Sequence, residues 1–500
     1  MPPTEAVQQS VLDQLRQAVG TCHVCTAQAD AMGTAADLST YEQDWRGRQR
    51  GLALAVVRPG STQEVAAVMR ICAASQTAIV PQGGNTGLVL GSIPDETGTQ
   101  IVLSLGRMNQ VRAIDSANLS LTAEAGCLLH NVQQGAQEAG LLFPLSLGSQ
   151  GSCTLGGNLA TNAGGTQVLR YGNARDLCLG LEAVTAQGEI WHGLSGLRKD
   201  NTGYDLRHLL IGSEGTLGVI TAATMKLYPR PAATLTAWVA LPSMSAAVAL
   251  LGLAQQHLGA GLTGFEVMGQ YALALVVQHC PALRVPLYQS TPYSVLLEYA
   301  DTESEEHAHS RLELLLGDAL AQGCAADAVL AQNLTQANQM WQVRESIPLA
   351  QAQEGLNIKH DISLPISRIA QFCQSTDALL ARELPGVRLV NFGHLGDGNL
   401  HYNVQAPRAD AGSSDAAAFV REHEARVNAL VYAQVHSMGG SISAEHGIGS
   451  LKAGTLPSYK CATALGMMRA IKQALDPHNI LNPGRVLSPT PQSAQGGLHR

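Results

Sequence analysis

The second half of the chain carries histidines and carboxylates whose spacing suits a metal centre. Two histidines, His394 and His401, flank a Gly-Asp-Gly turn, and Glu445 follows in the motif SAEHGIG. Two imidazoles and one carboxylate form a ligand set that a zinc-like divalent ion accepts while keeping one coordination position open. The sequence therefore predicts a metal site made of His394, His401 and Glu445, with Asp397 as a turn-former or an orienting group rather than a ligand.

The residue after Glu445 is a candidate base. Adjacent side chains of an extended segment point to opposite faces, so we expect Glu445 to bind the ion and His446 to stay free. A free imidazole, with an ordinary pKa of about 6.5, can accept a proton at neutral pH. Arg344 and Lys359 are either solvated side chains or groups that bind a carboxylate, and their own residue types leave both interpretations open.

Three glycine-rich segments in the first half predict a cofactor. They are PQGGNTG, GSQGSCTLGGNLATNAGG and IGSEGTLGVI, at residues 81–87, 148–165 and 211–220. Glycine admits positive φ and lets backbone N–H groups converge on phosphate oxygens. Neither a Walker pattern nor a GxGxxG turn is present, which argues against a P-loop or Rossmann domain. We therefore expect a large cofactor with a diphosphate.

Composition excludes several classes of protein. The 500 residues are 45% hydrophobic and 14% charged, with a formal net charge of −8, which is typical of a globular chain. Basic residues are scattered, so no nucleic acid is expected as a partner. Apolar runs fall short of the roughly 20 residues of a membrane span, and the N-terminus lacks a signal pattern, so we predict a cytoplasmic protein. The cysteines are irregularly spaced and several lie in apolar runs (Cys72, Cys178 and Cys461), which predicts reduced thiols in the core. Cys22 and Cys25 form a CxxC pair without a second pair, so we do not count them among the candidate functional residues.

The pattern of elements predicts an α+β protein. A strand that enters a turn at residues 52–61 leads into a helix at residues 62–75, and the segment TAIVPQGGNTG at 77–87 is expected to form a strand followed by a glycine loop. Further strands are expected at 101–105, 119–125 and 179–185. Pro229 and Pro231 mark a domain boundary. Beyond it, helices at 243–257, 303–322, 366–384 and 416–437 alternate with strands at 235–241, 293–298 and 388–392. Residues 488–500 are expected to be disordered.

Seven motifs of the chain resemble motifs of one known family and occur in the same order as in that family: PQGGNTG, GGNLATNAGG, RYGNARDLCLGLEAVTAQG, LRKDNTGYDLRHLLIGSEGTLG, GHLGDGNLH, SAEHGIG and LDPHNILNPG. They resemble flavoproteins of the vanillyl-alcohol-oxidase type, in the branch of FAD-dependent D-2-hydroxyacid dehydrogenases. The resemblance covers roughly residues 41–487. Within the branch, the chain is most similar to D-2-hydroxyglutarate dehydrogenases, with D-lactate dehydrogenases and the glycolate oxidase flavin subunit as close relatives.

The resemblance implies a two-subdomain FAD-binding domain of the vanillyl-alcohol-oxidase (PCMH) type and an α+β cap domain with an antiparallel sheet over the flavin. With it we place an N-terminal helical segment at 1–45, the FAD domain at 46–231, the cap at 232–445 and a returning C-terminal segment at 446–487. Relatives that attach FAD covalently often carry histidine in the first glycine loop, where this chain has Asn85, so noncovalent FAD is predicted.

Motif by motif, the resemblance also implies cofactor contacts. The first loop would line the pyrophosphate, the second would surround the diphosphate and ring, the third would lie near the adenosine, and one asparagine near the C-terminus would lie near the isoalloxazine. In that order the residues are Gln82, Gly83, Gly84, Asn85 and Thr86; Ser149, Gly151, Gly156, Gly157, Asn158, Thr161 and Gly164; Glu214, Gly215 and Ile220; and Asn482.

For the chemistry, the resemblance agrees with the ligands and base assigned above, places Asn399 at the substrate and assigns Arg344 and Lys359 to its carboxylate. It implies oxidation of a D-2-hydroxyacid, most simply D-2-hydroxyglutarate, to the 2-oxoacid with hydride transfer to FAD. Electrons would pass to an acceptor such as an electron-transfer flavoprotein or a quinone. Pro348 stands where some hydroxyglutarate-oxidising relatives have a substrate-contacting threonine, which leaves the substrate open.

Other functions and the assembly also stay open at this stage. D-lactate dehydrogenase, glycolate oxidase flavin subunit and a non-redox FAD transferase of the alkylglycerone-phosphate synthase type are the alternatives within the same fold. A metallohydrolase built on the histidines and glutamate alone is a further one, although it leaves the glycine loops unexplained. The oligomeric state is not fixed by the sequence, and a homodimer is one of the options.

Overall fold

The computed structural model describes residues 5–27, 36–408 and 416–488. Apart from Ser488, the predicted disordered tail lies outside the described residues. Within them, the chain forms two sheets and their helices in its first half, and one large sheet in its second half. None of the helices found in these ranges is both long and apolar enough to cross a membrane.

The first sheet is mainly parallel and has the strand order β1-β2-β4-β3. Strands β2, β3 and β4 run parallel, whereas β1 pairs with β2 in the antiparallel sense. Helix α1 joins the same hydrophobic core through Leu12 and Leu15, so the N-terminal segment packs as part of this unit. The elements are α1 (Glu5–Val19), β1 (Val24–Cys25), α2 (Ser39–Glu42), β2 (Ala53–Val57), α3 (Thr62–Ser75), β3 (Ile79–Gln82) and β4 (Gln100–Ser104).

The second sheet is antiparallel, with the order β5-β6-β10-β8-β9, and shares the core of the first. Two short strands, β7 and β11, pair separately. The elements are β5 (Val111–Asp115), β6 (Ser120–Glu124), α4 (Leu129–Glu138), β7 (Leu141–Leu142), α5 (Leu155–Ala160), α6 (Val168–Tyr171), α7 (Ala174–Leu177), β8 (Cys178–Val184), β9 (Ile190–Gly193), α8 (Arg207–Leu210), β10 (Val219–Lys226) and β11 (Tyr228–Pro229).

The third sheet is antiparallel and has the order β15-β12-β14-β13-β18-β19-β16, with β17 also paired to β19. Alternate residues of its strands enter two different cores: Val239 faces one, and Trp238 faces the other. Its strands are β12 (Ala233–Leu241), β13 (Leu262–Gly269), β14 (Tyr293–Asp301), β15 (Asp327–Leu330), β16 (Asn357–Ile358), β17 (Asp361–Ser363), β18 (Arg388–His394) and β19 (Asn399–Gln405).

Helices cover both faces of this sheet. Helices α10 and α12 pack on the face that contains Trp238, and α9, α11, α13 and α14 contribute to the core on the opposite face. After α14 the chain crosses back to the first half, where Leu481 forms a parallel bridge with Ile79 of β3. The helices are α9 (Met244–Leu258), α10 (Gln270–His279), α11 (Glu305–Ala321), α12 (Leu334–Glu354), α13 (Ile366–Glu383), α14 (Ala416–Ser437) and α15 (Ala462–Leu475).

Local sequence signals account for many of these elements. Helix α3 occupies the predicted residues, and the hydroxyl of its N-cap Ser61 accepts a hydrogen bond from the N–H of Glu64 at 3.2 Å. The prediction of reduced cysteines holds for Cys72 and Cys178, which are buried and free. The core position expected for Cys461 is wrong, because it is exposed and its sulfur caps α15.

The first and second glycine loops pack against each other so closely that there is no room for a side chain at the contact. A Cβ on Gly84 of the first loop would lie 2.0 Å from the carbonyl oxygen of Ser152 in the second loop, and a Cβ on Gly83 would lie 2.3 Å from Oγ1 of Thr154, also in the second loop. Any side chain at these positions would push the loops apart. Packing between the loops therefore accounts for part of their glycine content, in addition to any cofactor they hold.

This contact predicts a difference between two glycines of one loop. We expect Gly84→Ala to lower the melting temperature, because relieving the clash with the Ser152 carbonyl costs about 1–3 kcal/mol. Gly87→Ala is the matched control, since nothing lies within 4 Å of its added Cβ. Differential scanning calorimetry of both variants measures the effect, and equal melting temperatures would show that the loops do not need this close approach.

Candidate metal and flavin site

The candidate site begins as a row of side chains across four strands of the third sheet. Glu266 of β13 lies directly opposite His394 of β18, and Phe392, two residues earlier in β18, lies opposite His401 of β19. His401 in turn lies opposite Asp361 of β17. Directly paired residues of an antiparallel sheet point to the same face, so the strand register brings these side chains together.

Glu266 connects two of the predicted site residues. Its carboxylate accepts hydrogen bonds from His394 Nδ1 and from Arg344 Nε, both at 2.7 Å. Burial favours the neutral carboxyl, but His394 and Arg344 outweigh it and lower the pKa of Glu266 to about 2. Burial likewise disfavours the imidazolium of His394, yet the Glu266 carboxylate raises the pKa of His394 to about 9. Arg344 also lies over the Phe392 ring, 5.0 Å from its centroid.

The three predicted metal ligands are close together. Donor atoms of His394, His401 and Glu445 all lie within 4.8 Å of one another, and His394 Nε2 is 3.8 Å from Glu445 Oε2. The other carboxylate oxygen of Glu445 accepts the N–H of Gly165 at 2.6 Å. A histidine whose Nδ1–H is held by a carboxylate presents Nε2 in the tautomer that binds a metal. These donors therefore fit a zinc-like divalent ion.

A second donor set, Asp361, His401 and His446, overlaps the first. Asp361 is already satisfied, because Oδ1 accepts Asn399 Nδ2 at 2.9 Å and Oδ2 accepts the N–H groups of Glu445 and His446 at 2.8 Å. Since these bonds use most of its lone pairs, we interpret Asp361 as the residue that fixes the loop of Glu445 and His446. The set containing Glu445 retains more free donor capacity.

His446 lies next to the predicted metal ligands. Its ring stacks on that of His401, with 6.2 Å between centroids and 16° between planes, and its side chain is 23% exposed. Burial lowers the pKa of His446, although the nearby Asp361 and Glu445 carboxylates oppose that shift. The imidazole is therefore neutral near pH 7, which is the form that can accept a proton.

Two further predicted substrate residues have different surroundings. Asn399 donates its amide N–H groups to Asp361 and to the Ile362 carbonyl, while its buried Oδ1 has no hydrogen-bond partner in the part of the chain that the structure describes. Lys359 is half-buried between β16 and β17. The charges that act on it come from Arg46 and Arg48, and burial together with these guanidinium groups lowers its pKa to about 8.

The first glycine loop offers backbone donors rather than side chains. Gln82 donates its amide to the Tyr41 and Ser92 carbonyls, and Asn85 donates to the Thr40 and Gln43 carbonyls. Both side chains are therefore engaged with the protein itself. The four backbone N–H groups that follow Gln82 in this loop donate no hydrogen bond to another group within residues 36–408. Unpaired N–H groups of this kind can bind the oxygens of a phosphate. These N–H groups belong to Gly83, Gly84, Asn85 and Thr86.

Two buried asparagine groups also suit a large polar cofactor. Asn158 Nδ2, a donor, and Asn482 Oδ1, an acceptor, are buried without hydrogen-bond partners in the described ranges. Unsatisfied buried groups of this kind are costly unless a ligand pairs with them. Asn482 Nδ2 is already bound to the carbonyls of Gly91 and Glu214, both at 2.8 Å, which fixes the direction of its free oxygen. The loops and these two groups fit FAD.

The third glycine loop holds the segment that carries His446. The Glu214 carboxylate accepts the N–H of Ile448 at 2.8 Å and that of Gly449 at 2.7 Å. Gly215, at φ +71°, packs against Pro81. The predicted role of Glu214, Gly215 and Ile220 near the adenosine stays a prediction. In the structure Ile220 is buried in β10, Ser149 and Thr161 are half-buried, Gly151 is exposed, Gly157 lies beside Thr154, and Gly164 lies beside Glu445.

Sequence reasoning missed two residues of this site. Neither Asp361 nor Glu266 is singled out in the sequence analysis. A glutamate within the apolar strand segment LTGFEVMG is a usable signal, because glutamate is almost never fully buried unless it is paired. That signal indicates a buried pair but does not name the partners, since Arg344 and His394 are distant in sequence.

Comparison with known proteins identifies the class of this fold. Over 97% of its length the chain superposes on an alkyldihydroxyacetonephosphate synthase (TM-score 0.71, 18% identity, 86% of that chain). It also superposes over 97% of its length on p-cresol methylhydroxylase (TM-score 0.72, 16% identity, 98% of that chain). At these identities the likeness shows the fold alone, which is the FAD-binding fold of the vanillyl-alcohol-oxidase type.

Sequence comparison shows the family. Residues 53–193 match the FAD binding domain, and residues 230–486 match the C-terminal domain of FAD linked oxidases. The chain is 38% identical to the mitochondrial D-2-hydroxyglutarate dehydrogenase of Arabidopsis thaliana, over 90% of this chain and 78% of that protein. It is 40% identical to the D-2-hydroxyglutarate dehydrogenase of Xanthomonas citri pv. viticola, over 90% and 93%. The chain belongs to the FAD-linked oxidase family and is a flavin-dependent oxidoreductase.

The position of Glu266 predicts a loss of both stability and metal affinity on substitution. Glu266→Gln leaves a buried guanidinium without its counter-charge, which costs about 3–5 kcal/mol. It also removes the carboxylate that orients His394, so zinc affinity should fall about 10- to 100-fold. Calorimetry and competition with a chromogenic zinc chelator measure the two effects.

Glu298 provides the matched control. It is buried in the neighbouring strand β14, where burial raises its pKa and its carboxyl accepts hydrogen bonds from Thr263 and Trp341. Glu298→Gln should cost about 1 kcal/mol or less, because an amide can keep both contacts. Equal losses of stability and zinc affinity in the two variants would contradict the role assigned to Glu266.

Proposed function

We propose that this protein oxidises a D-2-hydroxyacid, with D-2-hydroxyglutarate as the first candidate, to the 2-oxoacid with a divalent metal and FAD. The observation that carries this proposal is the cluster of His394, His401 and Glu445 beside the free imidazole of His446. The match to FAD linked oxidases and the names of the relatives support the reaction type and the substrate class.

The bound groups would supply the redox and electrophilic chemistry. A zinc-like ion held by His394, His401 and Glu445 would supply a Lewis acid that favours loss of the substrate's hydroxyl proton. Noncovalent FAD supplies a hydride acceptor. Asn158, Asn482 and the N–H groups of residues 83–86 would hold it.

The chain's own residues then handle the proton and the substrate. Oxidation breaks the C2–H bond, whose hydrogen leaves with both electrons as a hydride, and the O–H bond, whose proton needs a base. His446 is neutral, lies beside the metal ligands and accepts that proton. Arg344, fixed by Glu266, binds the substrate carboxylate, and Asn399 helps to hold the substrate. This fixed orientation selects the D enantiomer.

Location, acceptor and assembly belong to the proposal as well. An electron-transfer flavoprotein or a quinone remains the proposed acceptor. The cytoplasmic location stays a prediction, and the relative from Arabidopsis thaliana is named as a mitochondrial protein. A homodimer is likewise an option that the sequence raised.

Anaerobic flavin absorbance provides the test of this function. The purified yellow protein should be bleached by D-2-hydroxyglutarate, and more slowly or not at all by D-malate, D-lactate and the L acids. Treatment with a chelator should abolish bleaching, and zinc should restore it. Bleaching by D-lactate alone would favour the lactate dehydrogenase alternative. A yellow protein that no hydroxyacid bleaches would contradict the oxidation and favour the transferase alternative.

Removing the proposed base separates catalysis from binding. His446→Ala should lower kcat by about 10²- to 10⁴-fold, the usual contribution of a general base, while FAD and zinc contents stay unchanged. His423→Ala, in the half-buried part of α14, is a control that removes another histidine from outside both donor sets. Turnover of the His446 variant within a few-fold of the unmodified protein would exclude His446 as the base.

A further inference from the structure

The predicted metal ligand Glu445 is held by both halves of the molecule. Its Oε2 lies 3.8 Å from His394 Nε2 in the third sheet, and its Oε1 accepts the N–H of Gly165 in the second glycine loop at 2.6 Å. In the part of the chain that the structure describes, this N–H is the one hydrogen-bond donor to the Glu445 carboxylate. A single bond to the glycine loop therefore orients this ligand.

The backbone of the loop is closely packed at this contact. Gly165 has φ +95°, and a Cβ on it would collide with the carbonyl oxygen of Ser146, so the position requires glycine. A Cβ on the preceding Gly164 would lie 2.7 Å from Glu445 Oε1. The N–H of Gly165 thus reaches the carboxylate because neither residue has a side chain in the way.

The same loop carries a group that suits the flavin. Asn158, whose buried Nδ2 has no hydrogen-bond partner in the described ranges, accepts the N–H of Ala163 on its backbone carbonyl at 2.8 Å. The Ala163 carbonyl in turn accepts the N–H of Ala174 at 2.9 Å. Gly165 follows Ala163 by two residues. A cofactor that pairs with Asn158 would therefore restrain the stretch of backbone that ends at Gly165.

The orientation of Glu445 is the property that metal and cofactor would share. The Glu445 side chain is 21% exposed, so without the bond to Gly165 its carboxylate has room to turn toward solvent. A metal bound by His394, His401 and Glu445 needs the carboxylate turned inward. Two ligands that favour the same conformation strengthen each other's binding by the same factor.

We propose that the hydrogen bond from Gly165 to Glu445 couples the metal site to the flavin site, so that zinc and FAD bind cooperatively. Gly165 is then a positioning residue, which acts on the metal through Glu445. This inference rests on the metal and the cofactor of the proposed function, but not on its reaction. Glu214 also joins the glycine loops to this segment, yet it holds the backbone of Ile448 and Gly449, which are not metal ligands.

The affinity of the holoprotein for FAD tests the coupling. Flavin fluorescence on dilution gives the Kd of FAD for protein that has been treated with a chelator and dialysed, and for the same protein after zinc is restored. We expect this Kd to be at least about fivefold lower with zinc, which is the lower end of typical couplings between two sites. The measurement needs neither substrate nor turnover. An equal Kd in the two states, with zinc bound in the second, would overturn the coupling.

Gly164→Ala breaks the link. The added methyl group meets Glu445 Oε1, and a carboxylate at the end of a flexible side chain moves more easily than the loop, so Glu445 is displaced from Gly165. Zinc affinity should fall about tenfold. At zinc concentrations that fill the site, the ratio of the FAD Kd values without and with zinc should fall to about one. Any direct effect of the methyl group on FAD cancels in this ratio. A ratio as large as that of the unmodified protein would overturn the role of Gly165.

Gly148→Ala is the matched control in the same loop, since nothing lies within 4 Å of its added Cβ. It should keep the zinc dependence of FAD binding. If Gly164→Ala does not fold, Glu445→Asp replaces it, because the shorter side chain cannot reach Gly165 and the metal together. The ratio should again fall to about one at saturating zinc, and a ratio as large as that of the unmodified protein would overturn the coupling.

Failure of the coupling and failure of the proposed function give different results. A chain that binds no zinc would overturn both the coupling and the metal of the proposed function. A chain that binds zinc and FAD independently, and whose flavin a hydroxyacid bleaches, would overturn the coupling alone. A zinc-dependent Kd of FAD in a protein that no hydroxyacid bleaches would support the coupling while the proposed function fails.

Discussion

The register of four antiparallel strands is the constraint on which the site depends. It places Glu266 opposite His394, Phe392 opposite His401, and His401 opposite Asp361. A shift by one residue in any of these pairings would turn that strand's site residue to the opposite face of the sheet. The apolar residues of the same strands are divided between two cores, so the packing of those cores maintains the register. Core packing and site geometry are therefore parts of one arrangement.

Within that register, two buried carboxylates hold the site residues in place. Glu266 holds Arg344 and His394 from beneath, and Asp361 holds the backbone of Glu445 and His446. Both carboxylates stay ionised despite burial, because cationic groups and N–H donors surround them. The residues that would contact substrate are thus oriented by residues that would not.

The segment after α14 couples the two halves of the molecule. Its backbone at Ile448 and Gly449 is held by Glu214 of the third glycine loop, and Glu445 is held by Gly165 of the second. Leu481 then pairs with Ile79 of the first sheet. Because one stretch of chain touches the glycine loops and carries Glu445 and His446, the positions of the glycine loops and of His446 are fixed together.

The sequence by itself determined many of the local elements and the family, and it predicted the trio His394, His401 and Glu445, whose donor atoms the structure brings within 4.8 Å of one another. Helix α3 and the turn between His394 and His401 follow from capping and glycine chemistry, which act between near neighbours in the chain. Only the tertiary structure decided that Glu266 pairs with His394 and that Asp361 fixes the loop of His446. Those contacts join residues that are far apart in sequence. They depend on the register of the strands and on the path by which the segment after α14 crosses back to the first half, and no local pattern encodes either.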